Sequence, residues 1–158
     1  MSKICIIMGS QSDLGTVNEA VKVLKEFKVN YDIRVLSAHR TPYELSQYVE
    51  TASLKGTKVF IAAAGGAAAL AGVIAAHTIL PVIGIPMETS SLKGMDSLLS
   101  TVQMPGGVPV ASMAIGKAGA KNAALFALSI LGTNDKKISA QLLKYKQAMR
   151  NKIKKIKL

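Results

Sequence analysis

His39 and Arg40 stand side by side in Ser37-Ala38-His39-Arg40-Thr41-Pro42, and His39 is one of only two histidines in 158 residues. An imidazole exchanges a proton near neutrality, while a guanidinium keeps its charge and holds an anion with a planar fork of donors. The pair suits proton transfer on an anionic substrate. The same hexapeptide also fits a helix start, with Thr41 as N-cap and Pro42 at the first helical position. A second candidate is Gly9-Ser10-Gln11-Ser12-Asp13. Ahead of a helix, such a turn offers unpaired backbone N–H groups to a phosphate, and Ser10 and Ser12 add hydroxyls. Asp13 would repel a phosphate, so it reads as a cap or as an acceptor for sugar hydroxyls. This turn is neither a Walker A loop nor G-x-G-x-x-G. The third candidate, Ala64-Gly65-Gly66-Ala67-Ala68-Ala69, lacks bulky side chains. That lets a ligand reach the backbone, or a helix pack closely on a sheet; glycine permits both.

The elements needed to position these stretches are legible from periodicity. Short apolar runs predict strands over Lys3–Met8, Tyr31–Val35, Val59–Ala63, Pro81–Ile85 and Val110–Ala114. Between them lie helical patterns: Leu14, Val17, Val21, Leu24 and Phe27; then Leu45, Tyr48, Val49 and Ala52; then a helix through Ala75 with His77 near its end. His77 reads as a surface or packing residue. A polar loop from Met87 to Asp96 precedes a short helical stretch, and Gly116 opens an alanine-rich helix to Leu131. Five β-then-α units in succession predict a three-layer αβα sandwich around an open parallel sheet. A flavodoxin-like order, 2-1-3-4-5, brings the loops after strands one, two and three together at the switch point. Ser10 to Asp13, His39-Arg40 and Ala64 to Ala67 should therefore converge. Residues 1–134 read as a single domain. Residues 135–158 form a basic amphipathic helix whose apolar positions (Ile138, Leu142, Tyr145, Met149, Ile153, Ile156) need the core or a neighbouring subunit.

Composition narrows the classes. The net charge of +11 suggests nucleic acid until it is located: residues 135–158 hold nine basic residues and one acid, so +8 lies there and +3 elsewhere. A lysine-rich terminal helix without an aromatic platform reads as a solvated face, and nucleic-acid binding is set aside. The single Cys5, inside an apolar run, allows no disulfide framework and reads as a buried, inert thiol. One cysteine and two distant histidines write no metal-ligand cluster. The apolar run after Lys3 ends at Gly9, too short for a secretory signal, so a cytoplasmic setting is expected. Val59 to Leu80 is long and apolar, but Gly65-Gly66 divides it into a strand and a buried helix, and no membrane span is expected.

Six stretches in unbroken order carry a resemblance. Met8-Gly9-Ser10-Gln11-Ser12-Asp13, Ser37-Ala38-His39-Arg40-Thr41-Pro42, Ala64-Gly65-Gly66-Ala67-Ala68, Asp96-Ser97-Leu98-Leu99-Ser100, Gln103-Met104-Pro105-Gly106-Gly107 and Ala114-Ile115-Gly116-Lys117-Ala118-Gly119-Ala120-Lys121-Asn122-Ala123 resemble the N5-carboxyaminoimidazole ribonucleotide mutases, class I phosphoribosylaminoimidazole carboxylase catalytic subunits of purine biosynthesis. The resemblance runs from about Lys3 to Leu131. It implies a cofactor-free isomerisation in the route to IMP, in which a carboxylate leaves the exocyclic nitrogen and is attached to ring carbon C4. By position, His39 matches the catalytic histidine, and Ser10, Asp13 and Arg40 match substrate-binding residues. Ser12, Ser37, Ala64, Gly65 and Gly66 are expected to complete the substrate site. It also implies a homo-octamer acting on a small ribonucleotide, with no metal or nucleotide cofactor. A related class carboxylates aminoimidazole ribonucleotide directly with CO2; it typically has Lys after the histidine, so Arg40 and Ala64-Gly65-Gly66 favour the mutase. A non-catalytic flavodoxin-like nucleotide-binding relative is the other alternative. Two departures stand out: Ala69 where histidine is usual, which removes a polar group near the migrating carboxylate and predicts reduced turnover, and Ala63 where glycine is usual.

Overall fold

Cys5, Phe60 and Val82 stand in one row across three neighbouring strands and point into the same packed layer. The computed structural model describes residues 3–156; residues 1–2 and 157–158, the outer ends of the two predicted segments, lie outside them. In chain order the elements are β1 (Ile4–Met8), a single 3-10 turn (Gln11–Asp13), α1 (Leu14–Glu26), β2 (Tyr31–Val35), α2 (Pro42–Leu54), β3 (Val59–Ala64), α3 (Leu70–Ala76), β4 (Val82–Pro86), α4 (Met95–Val102), β5 (Ala111–Ser112), α5 (Gly116–Gly132) and α6 (Lys136–Lys154). The sheet is parallel throughout, in the order β2-β1-β3-β4-β5. This is the flavodoxin-like order that the pattern predicts.

Continuous apolar runs adopt this arrangement because a parallel strand between helices is covered on both faces. One face of the sheet packs Cys5, Ile7, Phe60 and Ala62 against Leu45, Val49 and Ala52 of α2 and Leu70, Ala71 and Ile74 of α3. Strand alternation sends Ile4, Ile6, Ile61 and Ile83 to the opposite face, and these are fully buried as well. Each such large aliphatic side chain contributes about 1.5–3 kcal/mol when removed from water. The apolar stretch 59–80 resolves into β3, the glycine loop and α3, and no helix among the described residues is long and apolar enough to cross a membrane.

Cys5 is buried, its sulfur 3.2 Å from the Thr57 hydroxyl. The Tyr48 hydroxyl donates to Asp32 Oδ2 at 2.8 Å and to Cys5 Sγ at 3.3 Å. These contacts tie α2 to β1 and to the edge strand β2. Burial, together with the Cys5 and Asp32 neighbours, holds the phenolic proton in place and raises the Tyr48 pKa.

One strand is shorter than its sequence predicts. The run 110–114 yields only Ala111–Ser112, paired with Ile83 and Gly84, and the Met113 N–H still reaches the Gly84 carbonyl at 2.9 Å. Beyond that point the backbone leaves the sheet and lies against the first turns of α5. At Gly119 a Cβ would overlap the Ala114 carbonyl oxygen. A backbone held that close to a helix cannot continue a ladder.

By internal contacts the chain divides between Ala127 and Leu128. Within the second unit the Asp135 carboxylate caps α6, accepting from the N–H groups of Lys137 and Ile138. Of the apolar stripe on α6, Ile138 is buried, whereas Met149, Ile153 and the following Ile156 are exposed.

Candidate active site

Three loops leave the carboxyl ends of β1, β2 and β3, and they meet in one cleft of about 450 Å³. Gly9, Ser10, Ser12 and Asp13 line it from the first loop, Ser37, Ala38, His39 and Arg40 from the second, and Ala64, Gly65 and Ala67 to Ala69 from the third. The predicted convergence is present. The loop after β4 adds a fourth wall, Met87, Glu88 and Thr89, that sequence reasoning missed. A signal for it existed, because a long polar loop followed a predicted strand adjacent to β3, where ligands gather by the same topological rule.

In the first loop the Ser10 hydroxyl oxygen accepts from the Ser12 N–H at 3.3 Å and from the Ser12 hydroxyl at 2.9 Å. This closes the turn and caps the 3-10 residues. The Asp13 side chain makes no capping bond to α1. The cap role expected for it is therefore not filled, and the carboxylate stands at the cleft. Burial raises its pKa, opposed by hydrogen bonds from the Ser10 backbone and the Ser12 hydroxyl.

The second loop is fastened at its base by Thr41. Its hydroxyl accepts from the Ser37 N–H at 2.8 Å and donates to the Ser37 carbonyl at 3.1 Å. Thr41 does occupy the N-cap position of α2, followed by Pro42, but its side chain makes no capping bond. The hydroxyl closes the loop rather than the helix. Inside this loop the Ser37 hydroxyl accepts from the Arg40 N–H at 3.2 Å. The Arg40 guanidinium then donates from Nη2 to the Gly9 carbonyl at 2.8 Å, a charge-assisted bond that joins the second loop to the first. His39 is exposed at the cleft, and its ring has no hydrogen-bond partner among the described residues.

The third loop follows from its glycines. Gly65 packs so that a Cβ would come 3.4 Å from Met87 Cβ and 3.5 Å from Thr89 Cγ2, and the Met87 N–H bonds the Ala64 carbonyl at 2.9 Å. Gly66 has φ +68°, the left-handed region that glycine enters without penalty. Its N–H donates to the Ser97 hydroxyl oxygen at 3.0 Å. Gly66 therefore faces α4 and does not line the cleft, unlike the other residues expected there.

The first two loops bring Ser10, Ser12, Asp13, Ser37, His39 and Arg40 to this cleft, the third brings mostly alanines, and the fourth adds Glu88 and Thr89. A family model described as AIR carboxylase matches residues 3–152. The chain belongs to the AIR carboxylase family. It is 54% identical over 150 residues to the N5-carboxyaminoimidazole ribonucleotide mutase of Pyrococcus abyssi, covering 95% of this chain and 85% of the relative. It is 56% identical over 137 residues to the enzyme of the same name from Bacillus subtilis, covering 87% and 85%. The crystal structure of Treponema denticola PurE superposes with a TM-score of 0.86 at 31% identity, covering 95% of this chain and 92% of that one. Three of the six stretches that carry the sequence resemblance line the cleft of this AIR carboxylase family member. Ala69 lines it with a methyl group, and Ala63 is fully buried, its carbonyl accepting from the Gly9 N–H at 3.0 Å. His77 lies elsewhere, its Nδ1 3.1 Å from Glu50 Oε1 beside a separate hollow.

Proposed function

We propose that this chain is an isomerase of purine biosynthesis, converting N5-carboxyaminoimidazole ribonucleotide to 4-carboxy-5-aminoimidazole ribonucleotide. The observation that carries this reading is the meeting of His39 and Arg40 with the Ser10–Asp13 turn in one cleft, in a chain about half identical to mutases over nearly its whole length. Arg40 and the Ser10–Ser12 turn hold the phosphate, Asp13 accepts from the ribose hydroxyls, and Ser37 steadies Arg40. The backbone of Ala64 and Gly65 borders the heterocycle, and Gly66, expected to join them, stands behind that wall.

The chemistry needs one proton given and one taken. As the N–C bond to the carboxylate breaks, the exocyclic nitrogen gains a proton; after the new bond to C4 forms, C4 loses one. Substrate and product are isomers, so no net proton, electron or cofactor enters. His39 serves both steps, protonated for the first and restored by the second. The alanine side of the cleft keeps water from the migrating group. The protein acts in the cytoplasm as a homo-octamer, with neither nucleic acid nor membrane as partner.

The test is incubation with the carbamate-bearing ribonucleotide in the absence of ATP and bicarbonate. Formation of the C4 carboxylate supports the mutase. Conversion of aminoimidazole ribonucleotide only when bicarbonate is supplied would instead give the CO2-dependent carboxylase, and binding without turnover would give the non-catalytic relative. His39→Asn should lower kcat by about 10²–10⁴-fold while ligand affinity, read by calorimetry, stays within a fewfold. Undiminished turnover in that variant removes His39 from the mechanism.

A further inference from the structure

The first two turns of α4 contribute no residue to the cleft, yet they hold two of its walls. Ser97 is fully buried, and its hydroxyl oxygen accepts from the Gly66 N–H at 3.0 Å. The Ser100 hydroxyl lies 3.4 Å from the Gly66 carbonyl and donates to the Asp96 carbonyl at 2.8 Å. One residue earlier, the Asp96 carboxylate accepts the Thr89 hydroxyl at 2.9 and 3.1 Å. The Thr89 hydroxyl oxygen in turn accepts from the Gly94 N–H at 3.3 Å, which closes the loop between β4 and α4. Gly65 and Thr89 both line the cleft and touch each other's space. One helix start therefore fixes the glycine wall through Ser97 and the Thr89 wall through Asp96.

We propose that Asp96 and Ser97 are positioning residues of the active site: together they lock the Gly65-Gly66 peptide and Thr89 in the orientation that borders the heterocycle. This rests on the proposed function for the identity of the reaction, but not for the geometry. Gly66 in its left-handed conformation has no side chain and no contact within 4 Å of an added Cβ, so packing does not hold it. Its hydrogen bonds to Ser97, Ser100 and the Ala68 N–H do. Losing the Ser97 acceptor frees the peptide to rotate, and a misplacement of about 1 Å at a reacting site lowers rates by roughly 100-fold.

The experiment compares wild type with Ser97→Ala, Asp96→Ala and Asp96→Asn, each assayed well below its own Tm. Ser97→Ala and Asp96→Ala should lose roughly 10- to 100-fold in kcat/KM. Asp96→Asn keeps an acceptor for Thr89 and should stay within a fewfold of wild type. Amide hydrogen exchange at Gly66 should accelerate in Ser97→Ala while amides in β1 and β3 keep their protection. A general loss of stability would move all of them. Wild-type kcat/KM in both alanine variants, or unchanged Gly66 exchange in Ser97→Ala, overturns the proposal. If Ser97→Ala does not fold, the contrast between Asp96→Ala and Asp96→Asn decides: a difference supports the clamp and equality overturns it. If wild type itself fails to turn over the carbamate, the proposed reaction falls, and the Gly66 exchange comparison still decides the clamp.

Discussion

Asp13 carries a charge that its surroundings disfavour. Burial raises its pKa above the ordinary 3.8, and the Ser10 and Ser12 hydrogen bonds offset this only in part. An acid whose folded pKa is raised binds its proton more tightly in the fold than in the unfolded chain. Its stabilising contribution is therefore complete below about pH 3.8 and lost as pH rises through the raised folded value. At neutral pH the carboxylate weakens the free protein. Asp13→Asn should accordingly raise the Tm at pH 7, with the gain shrinking toward pH 4 as the wild-type carboxyl protonates. The same substitution should weaken ribonucleotide binding, because an amide accepts less strongly from sugar hydroxyls than a carboxylate does. Saturating ligand should then reverse the ranking, since its stabilisation grows with the logarithm of ligand concentration over Kd. Thermal melts at pH 4 and 7, with and without ligand, check both halves; a Tm at pH 7 below that of wild type without ligand would mean that Asp13 serves the fold.

At the scale of elements, what could be read from the sequence was whatever local pattern governs. Continuous apolar runs placed β1, β3 and β4, and the 3.6-residue period placed α1 and α2, because those signals arise from the residues that form each element. The topology followed from β/α alternation. Convergence of the first three loops followed from the topology, which puts the His39–Arg40 pair beside the Ser10–Asp13 turn. Three features depended on contacts outside the pattern of their own element and were not legible. The Thr41 hydroxyl closes its loop because the Ser37 backbone turns back to meet it, where a local rule expects a helix cap. Gly66 turns away from the cleft because Ser97, 31 residues on, offers an acceptor. The strand at 110–114 is cut short because Gly119 lets α5 meet the Ala114 carbonyl, and nothing within the run itself announces that neighbour. This last contact makes a prediction. Gly119→Ala introduces a methyl against rigid backbone, and its cost should be roughly 3 kcal/mol or more, the upper end for overpacking. Urea unfolding measures it directly. A midpoint unchanged from wild type would mean that the helix and the 113–115 segment can separate freely, and the account of the short β5 would fail.

For the whole molecule, the exposed apolar residues bear on how copies assemble. Leu54 is 90% exposed and Ile79 fully so, and together with Leu80 and Val108 they line one hollow of about 930 Å³. Apolar area left in water forgoes about 25 cal/mol per Å² of stabilisation, and contiguous patches of this kind mark contact surfaces. The other exposed stripe lies on α6, with Leu143 and Ile153 each 68% exposed. That helix belongs to a segment carrying +8, so two copies meeting there face mutual repulsion within a Debye length of about 10 Å at 0.1 M salt. The hollow holds a single acid, Glu50, already paired with His77, and no such barrier applies. In the proposed octamer, contacts through Leu54 and Ile79 should therefore dominate. Sedimentation equilibrium of the wild type should give a mass of eight chains at micromolar concentration, weakly dependent on salt. Ile79→Asp should lower that mass, because burying a carboxylate among apolar side chains costs several kcal/mol per copy and the cost recurs at every equivalent contact. Ribonucleotide binding by the smaller species, read by calorimetry, then shows whether the cleft of one chain suffices. A wild type that sediments as a single chain would discard the octamer; an Ile79→Asp variant of undiminished mass would move the contact away from this hollow and onto the α6 stripe.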